Sequence, residues 1–180
     1  AEEEVISRCT NVSCPARLRE SLLHFASRRA MDIEGLGEAL VDQLLAKGMV
    51  EDFASLYHLE PSALAALDRM AEKSASNLLE QIDKSRKADL ARVINALGIR
   101  FVGEKTAELL ADAYPRMEDL MEAGEEELQR VREVGPRVAA AIRQFFQQPR
   151  NRQVIDRLRE ARVLMEHAPR ARPDTGAVLA

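Results

Sequence analysis

One pattern recurs four times along this chain, and it leaves little choice of fold. Aligning GEALVDQLL, AEKSASNLL, GEKTAELLA and GPRVAAAIR superposes four anchors, Gly37, Ala71, Gly103 and Gly135, spaced 34, 32 and 32 residues apart. Ile33, Leu67, Ile99 and Val131 stand four places before the anchors, and Leu36, Met70, Val102 and Val134 one place before. Val41, Ala75, Ala107 and Ala139 follow by four, and Leu44, Leu78, Leu110 and Ile142 by seven. Every one of these is apolar, and positions four and seven residues on share a face only on a helix. Each unit therefore predicts a helical hairpin: an apolar approach, a tight turn, and an amphipathic helix that starts at the anchor. The residue four places on is mostly small, which lets the second helix lie close against the first.

The remaining composition agrees with an all-α fold, expected as four hairpins in two packed pairs. Aromatics make up 4% of the 180 residues and Trp is absent, so the β-branched and aromatic usage of sheets is missing while helix formers are common. EDFASLYHLEPSALAAL and YPRMEDLMEAGEEELQRV supply the intervening helices, with Pro61 and Pro115 as starts or stops. No apolar run approaches the roughly 20 residues of a membrane span, and the acidic AEEEVISR is no signal peptide, so a cytoplasmic protein is expected. Two cysteines, Cys9 and Cys14, are too few for a secreted disulfide framework and are weighed as thiols or metal ligands. His24, His58 and His167 are dispersed and are read as packing or surface residues.

A net charge of −4 gives no general attraction to nucleic acid; such binding must come from placed cations and backbone donors. The turns offer both. A glycine at a helix start lets the backbone approach a ligand, and the first-turn N–H groups there are unpaired and carry the positive end of the dipole. Two residues past three of the anchors stand Lys73, Lys105 and Arg137. A cation is unfavourable at that end of a helix unless an anion binds there. The first unit has Ala39 instead, with Arg28 and Arg29 upstream, while Glu38, Glu72 and Glu104 fit an ordinary helix start. The competing reading is a scaffold of hairpins with solvated surface charges.

These units resemble the helix-hairpin-helix motif, a Gly-apolar-Gly turn that binds DNA phosphates without reading sequence. Gly35, Leu36 and Gly37 carry it in full; Arg69, Phe101 and Glu133 replace the first glycine of the other units, and Ala71 the second glycine of unit two. Glu133 is unsuited to a phosphate, so the fourth unit is the doubtful contact and the second is read as largely structural. With CPARLRESLLHFASRRAMDI, INALGIRFVGEKTA and LQRVREVGPRVAAAI, the stretch from about residue 5 to 167 is similar to the bacterial NAD-dependent DNA ligases. In that family a four-cysteine zinc finger leads into four such units.

The resemblance implies three segments: the second half of a zinc finger at 1–17, a helix-hairpin-helix domain at 18–167, and a linker at 168–180 toward a BRCT-like domain. It makes Cys9 and Cys14 the last two zinc ligands, with the other two upstream. Half a site cannot close a tetrahedron, so weak or absent zinc is expected in this chain. It also implies contact with nicked duplex DNA through Arg28, Arg29, Gly35, Leu36, Gly37, Lys73, Val102, Gly103, Lys105, Thr106, Gly135 and Arg137. The full enzyme takes AMP from NAD onto a lysine of a Lys-x-Asp-Gly motif, with magnesium, in replication and repair near the bacterial nucleoid. The nearest match here is KADL, Lys87 to Leu90, in which Leu90 replaces the glycine; it is read as coincidence on a charged helix. Adenylation and OB domains are expected elsewhere in the same polypeptide, and the chain is not expected to ligate alone. A stand-alone helix-hairpin-helix module of a repair or recombination protein is the alternative.

Overall fold

The computed structural model describes residues 15–167; Cys9, Cys14 and the linker from 168 lie outside the described residues. The described residues are helical, with one isolated bridge between Arg116 and Glu166 as their only β pairing. The first hairpin is α1 (Pro15–Ala26) and α2 (Glu38–Ala46). A 3-10 turn (Phe53–His58) leads to the second, α3 (Pro61–Ala65) and α4 (Glu72–Ser85). The third is α5 (Leu90–Ala96) and α6 (Glu104–Ala113). Then α7 (Met117–Glu122) precedes the fourth, α8 (Glu125–Leu128) and α9 (Pro136–Gln147), and α10 (Pro149–Glu160) closes the helical order. The two helices of each hairpin pack on one another.

The sequence columns account for that packing. Val41, Ala75, Ala107 and Ala139 are essentially inaccessible, as are Leu44, Leu78, Leu110 and Ile142. Burying each of the latter removes a whole aliphatic side chain from water, about 2 kcal/mol apiece. Pro61, Pro136 and Pro149 occupy the first turn of their helices, where a missing N–H costs no hydrogen bond.

Three joints fix the two halves together, and none follows the repeat. At the first, the amide of Asn95 in α5 donates to the Arg29 carbonyl at 3.0 Å, His24 Nε2 donates to the Asn95 carbonyl at 2.6 Å, and Arg92 donates to the Arg28 and Ala30 carbonyls. At the second, α10 returns to the 3-10 turn. There the fully buried Asp52 accepts from the Ser55 amide and is ion-paired by Arg150, at 3.5 Å, and Arg157. Nearby, burial pushes the Tyr57 phenol up to about 12, against the opposing pull of its Ser85 hydrogen bond and of Arg86.

The third joint is the strap after α10. Leu164 N–H donates to the Arg86 carbonyl at 2.7 Å, Glu166 accepts from Leu90 N–H, and His167 N–H donates to the Pro115 carbonyl at 2.8 Å. This corrects one expectation: Lys87 to Asp89 do not lie on a helix. They form the link into α5, where the Asp89 carboxylate caps the first turn through Ala91 N–H at 2.9 Å.

Candidate nucleic-acid interface

All four hairpins adopt the same turn. The residue two before each anchor has a positive φ: +94° at Gly35, +61° at Arg69, +69° at Phe101 and +69° at Glu133. The left-handed conformation is what the motif's first glycine supplies, and a side chain there costs about 1–2 kcal/mol. Units two to four carry that cost. In each of them the amide one before the anchor donates to the carbonyl four before it: Met70 to Leu67, Val102 to Ile99 and Val134 to Val131, at 3.0–3.1 Å. Leu36, Val102 and Val134 point their side chains into the core, so at Leu36 and Val102 only the backbone can meet a ligand.

The anchor itself behaves oppositely. Gly37, Ala71, Gly103 and Gly135 are the N-caps of α2, α4, α6 and α9, all in extended backbone at φ from −87° to −105°. Any residue adopts that conformation, and Ala71 does. A Cβ built on Gly37, Gly103 or Gly135 meets no atom within 4 Å. Neither strain nor internal packing requires glycine at these three places. No N-cap side chain caps any of the four helices, so their first-turn N–H groups, one fewer in α9 where Pro136 has none, are left to an outside acceptor, the arrangement that receives an anion.

The predicted cations separate on inspection. Lys73, Lys105 and Arg137 are exposed in the first turns of their helices, with Thr106 half-buried beside Lys105. Hairpins three and four meet reciprocally: Lys105 Nζ lies 3.1 Å from Glu133, and the Arg137 guanidinium lies 4.7 Å from the centroid of the Phe101 ring. The residue two before each anchor thus contacts the residue two after the other, a pseudo-twofold pairing that brings Gly103 and Gly135 into one face. Arg100 joins the group with its guanidinium 4.8 Å from the same ring. The sequence reading missed Arg100, whose only signal is its place before the left-handed residue.

Arg28 and Arg29 are exposed, and their carbonyls belong to the joint with α5. Arg29 lines a cavity of about 420 Å³ walled by Asp89, Glu104, Glu108, Asp112 and His167. His167, expected to be a packing or surface residue, bridges two carboxylates, Nδ1 to Asp89 at 2.7 Å and Nε2 to Asp112 at 2.8 Å. Burial pulls its pKa down, but the two hydrogen bonds and the charges of both aspartates outweigh that and leave it raised. No helix among the described residues is long and apolar enough to cross a membrane.

Comparison with known proteins agrees with this geometry. Residues 27–84 match a family model described as a SAM-like helix-hairpin-helix tandem, and residues 92–155 match one described as a helix-hairpin-helix motif. A protein of Acidobacterium capsulatum named DNA ligase is 60% identical over 154 residues, 86% of this chain and 23% of that protein. Proteins of the same name from Solibacter usitatus and Methylococcus capsulatus are each 52% identical over 179 residues, covering 98% and 97% of this chain and 27% of either relative. The chain spans about a quarter of the length of the curated relatives it matches.

Proposed function

We infer that this chain, homologous to the helix-hairpin-helix region of proteins named DNA ligase, is the segment with which such an enzyme grips duplex DNA around a nick. The observation that carries the reading is the open space before three glycine N-caps. No internal packing calls for glycine there, and no N-cap side chain covers the first-turn donors that follow it. Phosphates held by such donors and by Lys73, Lys105 and Arg137 fix register without specifying sequence. The nick-sealing chemistry belongs to the longer polypeptide: transfer of AMP from NAD to a lysine and then to a 5′ phosphate, with magnesium, through adenylation and OB domains, with a BRCT-like domain beyond residue 180. This reading places the enzyme in the bacterial cytoplasm, at the nucleoid.

Titrating nicked and intact duplexes at two salt concentrations tests it. A ligase segment binds with strong salt dependence and favours the nick; a stand-alone repair module binds both alike; a scaffold binds neither. Sealing assayed with this chain alone is expected to give no product. Cys9 and Cys14 offer two of the four thiolates a structural zinc needs, so titration with zinc is expected to show no stoichiometric binding within one monomer.

A further inference from the structure

Phe101 sits where the fold gives it least reason to be. It occupies a left-handed turn position at φ +69°, where glycine is relaxed, and the residue remains 43% exposed. Among the described residues the large hydrophobics left exposed are Phe101 and Leu164 alone. The guanidinium groups of Arg100 and Arg137 both lie over the ring, within 5 Å of its centroid. Each is therefore held at the hairpin tip by a cation–π contact instead of ranging through solvent. An exposed aromatic ring flanked by two fixed cations, beside the donors of Gly103, is complementary to a polyanion that also presents an apolar surface.

We propose that Phe101 is the residue with which this interface detects the nick. It is an apolar wedge laid against the minor-groove edge of the interrupted base step, with Arg100 and Arg137 on the adjoining phosphates. The inference rests on the reading of the chain as a DNA grip and adds what that grip discriminates. An apolar wedge gains by covering base and sugar edges but must part the bases it enters. In intact duplex that separation strains a continuous backbone. At a nick one strand is already interrupted, so the same wedge enters at lower cost and nicked DNA is favoured.

The test uses nicked and intact duplexes of one sequence, with 2-aminopurine beside the nick. Phe101→Gly removes the ring while relaxing the backbone, so it cannot fail by disrupting the fold. It is expected to lower affinity for the nicked duplex about tenfold, the scale of one lost aromatic contact to a base. Affinity for the intact duplex should fall by much less, through the looser hold on Arg100 and Arg137 alone, and the rise in 2-aminopurine emission produced by the unaltered chain should disappear; Phe101→Tyr should retain both. If Phe101→Gly weakens both duplexes equally and shallows the salt dependence as Arg137→Ala does, the ring merely positions Arg137 and the proposal falls. An unchanged nick preference also overturns it. Absence of binding by the unaltered chain overturns the DNA-grip reading as well, so the two failures are distinguishable.

Discussion

Replacing Gly103 by Ala separates what the fold needs from what the ligand needs. Gly103 caps α6 at φ −96°, ψ −167°, and its added methyl meets no atom within 4 Å. Restricting the unfolded chain favours Ala by about 0.4–1 kcal/mol. Helix N-caps prefer Gly to Ala by about as much. The two offset, and the melting temperature should stay within about 3 °C in a chain of this size. Binding should not survive so well. The methyl projects into the space a phosphate must enter, and a lost hydrogen bond to a charged group is worth about 1.5–3 kcal/mol, roughly a ten- to hundredfold loss of affinity.

Fluorescence anisotropy on a labelled nicked duplex, run beside thermal melts, reads both quantities. Two companions sharpen the result. Ala71→Gly restores the missing glycine of the second hairpin and should tighten binding. Gly35→Ala places a side chain at φ +94° and should lose about 1–2 kcal/mol of stability, a loss made in the fold. If Gly103→Ala binds DNA as the unaltered chain does and Ala71→Gly gains nothing, the open helix starts are not the contact.

Other perturbations probe the surroundings of the site. Glu133→Gln frees Lys105 from an exposed ion pair; stability should move by less than about 1 kcal/mol, while affinity at low salt rises about threefold as a charge opposing the phosphates disappears. Asp52→Ala strips a fully buried carboxylate from Arg150 and Arg157 and should cost about 3 kcal/mol in urea unfolding, the low end for a broken buried pair because both arginines stay partly in water. Since the folded His167 pKa lies above the ordinary 6.5, the protonated imidazole stabilises the strap. That contribution is complete below pH 6.5 and is lost as pH rises through the raised value. Unfolding free energy should therefore fall on the alkaline side of 6.5, and His167→Asn should flatten the fall.

The hairpins were legible because their information is local. A helix face repeats every three or four residues, and the packing of Val41, Ala75, Ala107 and Ala139 under their partner helices leaves a column that alignment recovers. The left-handed turns at Arg69, Phe101 and Glu133 were not legible, because a non-glycine residue gives no sign that its φ is positive. Only superposition on Gly35 hinted at them. The reciprocal contacts Lys105 to Glu133 and Phe101 to Arg137 join residues from different repeats. The strap is held by backbone hydrogen bonds that no periodicity encodes. His167 shows the same limit: one histidine near the end of the last unit carries no mark of the two aspartates, from different elements, that enclose it.

A chain of net charge −4 can hold DNA if its contacts are few and local, and the salt dependence should reveal how few. Counterion release counts cations: each Lys or Arg that neutralises a phosphate contributes about −0.9 to the slope of log K against log salt. Lys73, Arg100, Lys105 and Arg137 together predict a slope of about −3.6. Backbone N–H groups at a helix start add affinity but displace no condensed ion by this reckoning. Gly103→Ala should thus shift the whole line downward at unchanged slope, whereas Lys105→Ala should lower it and also flatten it by about 0.9. If both substitutions change the slope equally, cations and backbone donors do not act as separate contacts, and the hairpin turn holds phosphate only as a scaffold for its lysine.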